Sequence, residues 1–226
     1  MSRELTPAGA VERSLIRRFR RELWTPFIVA VQRYALIPAG STVCACLDGT
    51  AGSAVMIKLL QELQRHGNEP FGVRFRAAPG MDPIRAAALA ERLGIPLEDA
   101  PEQPELLAVP VCMSDAAEDV LAAMLHEGVL RGTLPKRTLP GGGTLICPLF
   151  CIDRKSIDAW ARYNGLDFGA EKAPSPDQAE ARELMERLHG ATTDVERNVF
   201  AAIHNVYPGQ MPGWTWRGEE HHLGKG

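Results

Sequence analysis

Apolar residues at the start of the chain recur with the period of a helix. From Val11 onward, Leu15, Phe19 and Leu23 return at four-residue intervals, and Thr25-Pro26 reads as an N-cap with proline at the first position of a second helix running to about Leu36. Ile37-Pro-Ala-Gly-Ser41 interrupts that pattern, and Thr42 to Leu47 is a short apolar run of small residues suited to a strand buried on both faces. Ser53 is placed to cap the next helix, whose buried stripe is Val55, Leu59, Leu60 and Leu63 and whose end is His66-Gly67. Phe71 to Ala77 alternates as a second strand. Pro83 to Leu93 is an alanine-rich helix closed by Gly94, and Ile95 to Leu97 opens a brief third strand. Leu106 to Met113 follows as a fourth strand, Ala116 to Leu130 as a crossover helix, and Leu145 to Ile152 as a fifth strand after Pro140-Gly-Gly-Gly143. The glycine run lies between two strands and not before a helix, which favours a hairpin loop over an anion cradle.

Strands alternating with helices define the fold class as α/β, with a mostly parallel, five-stranded, doubly wound sheet. In such sheets ligands bind beyond the carboxyl ends of the strands, near a topological switch point. The last third is helical: Asp153 caps a helix to Tyr163 that stops at Asn164-Gly165, while Ser175-Pro-Asp-Gln178 and Thr193-Asp-Val-Glu196 are capping-box sequences opening two more. The connection Gly169 to Pro174 carries no packing signal, and the chain after Val206 reads as an irregular tail that Trp214 and Trp216 could dock. The expected organisation is an N-terminal helical segment over 1–40, an α/β domain over 41–168, and a helical extension with its tail over 169–226.

Composition fits a globular chain: 226 residues, 45% hydrophobic and 23% charged, with a net charge of -3. Five arginines, Arg13, Arg17, Arg18, Arg20 and Arg21, crowd the first helix despite that balance. They form either a solvated helix face or a surface for nucleic-acid phosphates. Arg13, Arg17, Arg20 and Arg21 are the candidate nucleic-acid contacts, provided that Glu12 and Glu22 do not consume them. No apolar run is long enough for a membrane span and the start does not read as a signal peptide, so a cytoplasmic protein is expected. Five cysteines in mostly apolar contexts argue for reduced thiols. Cys44 and Cys46 share one side of a strand, with Cys112 and Cys147 on strands nearby, but buried cysteine as a small hydrophobe is the preferred reading. Cys147-x-x-x-Cys151 is not a metal spacing, and Glu219-Glu-His-His222 reads as a solvated charged end.

The segment Val43 to Leu63 reads as strand, small-residue turn and helix, the arrangement that presents backbone amides to a phosphate. Together with Glu12-Arg-Ser-Leu-Ile-Arg-Arg18, Glu118-Asp-Val-Leu121, Leu134-Pro-Lys136, Pro148-Leu-Phe150, Ile157 to Asn164 and Asn205-Val206, it resembles the tRNA 2-thiocytidine synthetase family of PP-loop ATP pyrophosphatases. The resemblance is collinear from about Glu12 to about Pro208, with one deletion. It implies the PP-loop fold of adenine-nucleotide hydrolases, ATP and magnesium as ligands, tRNA as substrate, an iron-sulfur cluster for sulfur insertion and, for this fold, a homodimer.

The family's Ser-Gly-Gly-x-Asp-Ser loop falls on Asp48, Gly49, Thr50, Ala51, Gly52 and Ser53, directly after Leu47, and keeps one glycine and the last serine. An acid at Asp48 puts negative charge where a pyrophosphate approaches, and a β-branched Thr50 resists the close backbone approach that glycine allows. A plain strand-to-helix turn is therefore favoured over a working ATP loop. The family's Gly-His-His-x-Asp-Asp falls on Pro110 to Asp115 without its histidines. Asp115 is the candidate catalytic or metal-binding residue, while Asp115-x-x-Glu118 also reads as a capping box. The cluster cysteines are absent from the segments after Leu97 and after Phe168, so an iron-sulfur cluster is not expected. Two readings remain: a catalytically impaired homologue that binds nucleotide, tRNA or a protein partner, and an active ATP-dependent tRNA sulfurtransferase that takes sulfur from a partner.

Overall fold

The computed structural model describes residues 6–67, 69–98, 104–168, 173–189, 194–216 and 218–222. Its centre is a five-stranded sheet in the order β2-β1-β3-β5-β4, built from β1 (Thr42–Leu47), β2 (Gly72–Ala77), β3 (Leu106–Ala108), β4 (Lys136–Thr138) and β5 (Thr144–Ile146). β1 pairs in parallel with β2 and β3, and β3 with β5, while β4 runs antiparallel to β5 as the edge. The fold is thus α/β with a mostly parallel sheet. Alternation divides each strand between two layers. Val43, Ala45 and Leu47 join the main core with Leu106, Ala108 and Ile146, whereas Leu145 and Cys147 join Met113 and Ala116 in a second cluster.

The chain enters as one rod. α1 (Pro7–Arg13) passes through π turns at Ser14–Arg18 and Arg20–Trp24 into α2 (Thr25–Arg33). No break occurs at Thr25-Pro26, contrary to the pattern: Thr25 has helical backbone angles and its N–H donates to Arg20 O. Pro26 has no N–H to give, and the π turn before it absorbs that mismatch. Val11, Leu15, Leu23 and Phe27 sink fully into the main core beside α3 (Ala51–His66). A buried ionic contact fixes the rod: Lys58, with no exposed surface, donates to Glu12 at 2.9 Å and to Gln61 at 2.6 Å.

α3 is buried on nearly every side from Ala51 to Glu62, and its N-cap is Thr50, not Ser53. α4 (Pro83–Leu93) is capped by Asp82 and closed by Gly94 at φ +64. The third strand expected at Ile95 to Leu97 does not form. Pro96 removes a ladder donor, and the segment is held beside β2 by a bond from Glu98 N–H to Phe75 O at 2.7 Å. The two following strands are shorter than the apolar runs that announced them, because turns bonded from Phe150 to Cys147 and from Ile152 to Leu149 fold the rest of the second run. β4 and β5 form a hairpin across the glycine run, and Lys-Arg-Thr is an edge strand that polarity concealed.

α5 (Met113–Ala122) begins three residues before its expected start and ends in a π turn at Ala123–Glu127. α6 (Arg154–Tyr163) is capped by Asp153, α7 is Pro176–His189 and α8 is Val195–Ala202. Ser175 and Gln178 exchange the two bonds of the expected capping box. Thr193 of the second expected box lies outside the described residues, as do 99–103 and 169–172. The tail is not irregular: after a short 3-10 turn, β6 (Gly213–Trp216) and β7 (Glu219–His222) pair as a hairpin in which Trp214 stacks on His221.

Candidate functional site

β1 and β3 are neighbours, yet the helices that follow them pack into different clusters, α3 with the main core and α5 with the second. Their carboxyl ends therefore diverge, and a cleft of about 570 Å³ opens there. Asp48, Thr50 and Gly52 line one wall, and Pro110, Cys112, Asp115, Glu118 and Asp119 line another. Arg154 of α6 and Arg182 of α7 complete it.

The loop after β1 is closed on itself. Asp48 Oδ1 accepts from the Thr50 N–H at 2.9 Å and from the Thr50 hydroxyl at 2.7 Å, while Thr50 Oγ1 accepts from the Ser53 N–H at 3.1 Å. The Ser53 hydroxyl donates to Thr50 O at 3.0 Å and accepts from the Asp48 N–H at 3.3 Å. Aspartate side chains favour such local turns, and a threonine N-cap satisfies a helix donor that a phosphate would otherwise take. Gly49 supplies the left-handed turn at φ +84, and Leu47 and Ala51 are buried. Gly52 permits close approach of the two walls, since a Cβ there would lie 3.2 Å from Pro110 Cβ.

The carboxylates of α5 are equally engaged. Asp115 accepts from the Cys112 N–H at 2.8 Å and from Arg154 Nη2 at 2.5 Å. Asp115 thus carries the capping role, and Glu118, one turn further on, is not part of the box. Glu118 is 3% exposed and lies between two guanidinium groups: Arg154 Nη1 at 2.6 Å, and Arg182 Nε and Nη2 both at 3.0 Å. Burial alone would weaken the Arg154 proton, but the hydrogen bond to Glu118 and the charge of Asp115 outweigh it and hold that guanidinium above its ordinary range. Asp119 accepts from Gln178 Nε2 at 2.8 Å and from the Thr133 hydroxyl.

Cys112 belongs to the main core and Cys147 to the second cluster, while Cys46 accepts from Arg76 Nε at 3.3 Å. Burial pushes Cys147 up to about 12 and Cys112 well above its usual value, so both stay protonated thiols at neutral pH. All five cysteines are free, and among the described residues no group of three or more His, Cys, Asp or Glu side chains is placed to hold a metal ion.

Arg13, Arg17, Arg20 and Arg21 do not line the cleft; they are exposed on the rod. Glu12 does not neutralise them, because it is held by Lys58 and by Arg65 Nη1 at 2.7 Å. Sequence reasoning missed Arg154 and Arg182. They lie 36 and 64 residues from Glu118, and only the topology joins them.

This sheet order and cleft define a PP-loop-like α/β fold. A solved structure with that likeness is the U34-tRNA thiolase NcsA from Methanococcus maripaludis with its 4Fe-4S cluster, with a TM-score of 0.58 over 80% of this chain and 77% of that one, at 16% identity. At that identity the likeness is one of fold. No protein-family description matches the chain, and no curated protein matches it by sequence. Among the described residues no helix is long and apolar enough to cross a membrane.

Proposed function

We propose that this chain is a divergent PP-loop protein of the tRNA-thiolation kind that has lost the adenylating chemistry and acts by binding, with tRNA, a nucleotide or a protein as its partner. The observation that carries this reading is the self-closed loop at Asp48 to Ser53. A magnesium-bound triphosphate needs free loop amides and carboxylates open to the ion. Here the amides of Asp48, Thr50 and Ser53 are bonded within the loop, the Asp48 carboxylate faces back into it, and both oxygens of Asp115 are occupied. The donor set does not fit that ligand, and thiols that form no group of three or more with His, Asp or Glu placed to hold a metal among the described residues do not fit an iron-sulfur cluster.

A second reading keeps support from one feature: the cleft lies at the switch point and holds two guanidinium groups, which suit phosphate oxygens. Under it the protein is an ATP-dependent tRNA sulfurtransferase supplied with sulfur by a partner. Thermal shift and pyrophosphate release with magnesium and ATP, with and without bulk tRNA, separate the two. The first reading expects no release, and neither shift nor release with ATP removes the second; pyrophosphate formation that depends on the protein overturns the first in favour of the second.

A further inference from the structure

We infer that the groove between the N-terminal rod and the far end of α6 binds single-stranded RNA, taking an unpaired base on the Arg18–Tyr163 stack and the flanking phosphates on the arginines beside it. The inference rests on the tRNA arm of the proposed function and concerns a face remote from the β1 loop.

The groove has a volume of about 670 Å³, and Arg18, Phe19, Glu22, Arg162 and Tyr163 are among the residues lining it. Tyr163, at the last position of α6, is 55% exposed. Its ring meets Phe19 edge-on at 5.6 Å, and the Arg18 guanidinium carbon stands 4.6 Å from its centroid. An exposed ring capped by a guanidinium is a platform on which a splayed base can stack.

Charge on the same rod supplies the phosphate contacts. Arg13, Arg17 and Arg21 recur every four residues, and all three are exposed on the rod. Among the described residues, none of these three, nor Arg18 or Arg162, forms an ion pair with an acid. Glu22 is the acid among the groove's lining residues, and Glu12 is turned inward to Lys58. The two π turns flank Phe19, which they leave nearly buried while Arg18 and Glu22 stay on the groove wall. Single π turns inside helices recur at functional positions.

Charge alone would serve an acidic peptide or an anionic lipid surface as well as RNA. The stacked ring favours RNA, and it favours unpaired nucleotides, because bases inside a duplex cannot reach it.

The test is fluorescence anisotropy on the full chain with a labelled RNA hairpin carrying an unpaired loop and with a blunt duplex of equal length, each over a range of salt. The hairpin is expected to bind more tightly. Tyr163→Ala and Arg18→Ala should each weaken hairpin binding about tenfold while leaving the duplex unchanged, and Tyr163→Phe should retain the preference. Arg17→Gln with Arg21→Gln should weaken both RNAs and lower the salt slope by about 1.4, at about 0.7 per single-strand phosphate contact. Melting temperature is the control for folding.

Equal affinity for hairpin and duplex, or full hairpin binding by both Tyr163→Ala and Arg18→Ala, overturns the inference. So does retention on phosphatidylserine vesicles, lost with the arginine pair, without RNA affinity. Pyrophosphate release from ATP would overturn the impaired-enzyme reading and leave the hairpin result standing. A failed hairpin preference with inert ATP would remove the groove alone.

Discussion

Arginines of the cleft and arginines of the rod carry the same charge in opposite circumstances. Arg154 and Arg182 share a buried carboxylate at Glu118, and Arg154 also holds Asp115. Arg13, Arg17 and Arg21 form no ion pair with an acid among the described residues. A ligand entering the cleft must displace ion pairs whose partners would be left buried and uncompensated, whereas a polyanion on the rod gains by releasing mobile ions. The difference separates position from charge: the cleft lies where ligands bind in this kind of sheet, but the rod has the unmatched charge.

The largest test of that contrast removes the shared carboxylate. Glu118→Ala leaves two half-buried guanidinium groups on the cleft wall without their shared partner, and a loss of about 3 kcal/mol in denaturant melts is expected. The same variant should gain a thermal shift with inorganic phosphate that the unmodified protein lacks, since its cleft arginines then resemble those of the rod. An unchanged melt would show that Glu118 is not the group that binds α6 and α7 to α5.

A smaller effect is expected at the loop. Thr50→Ala deletes the N-cap of α3 and one bond to Asp48, for a loss of about 1 kcal/mol by the same measurement. If the loop is closed by its own hydrogen bonds, the variant should still show no ATP-dependent pyrophosphate release.

The smallest effect is acid dependence at the rod's anchor. Burial works against ionisation of Glu12, but hydrogen bonds from Lys58 and Arg65 and their charges outweigh it and hold its carboxyl below the usual range. Its contribution to stability is therefore present above the unfolded value near 4.5 and is lost as pH falls through the lower folded value. Urea melts at descending pH should show a steeper decline below that point than in Glu12→Gln. Hairpin affinity at neutral pH should not change in this variant, because Glu12 faces α3 and not the exposed arginines of the rod.

Much of the central unit was legible. The limits of β1, the end of α3, the span of α4 and the Asp153-capped α6 all follow from local chemistry: small apolar runs, capping side chains and terminal glycines. The errors arose where a local signal met a longer-range condition. Ile95 and Leu97 flank a proline that cannot complete a ladder, and Lys136 to Thr138 becomes a strand only because β5 offers it an edge. At Thr25-Pro26 no cap forms, because a π turn serves the proline without ending the helix. The cleft was legible as a location through Asp48 and Asp115. Its charge balance was not, because Arg154 and Arg182 arrive from helices with no local link to Glu118. The Asx-type turn at Asp48-Gly49-Thr50 could have been read directly, since Asp followed by Gly and a hydroxyl residue is its ordinary signature.

An α-helix advances about 100° for each residue, and a π turn takes in one residue more than an α turn without breaking the rod. Each of the two π turns therefore acts as a one-residue insertion absorbed in place. Val11 and Leu15 before the second turn, and Leu23 and Phe27 near and after its end, are all locked in the core, so the number of residues between the two pairs decides whether both halves of the rod can face inward together. Adding or deleting a single residue there would set Val11 and Leu15 at odds with Leu23 and Phe27, while every arginine remained.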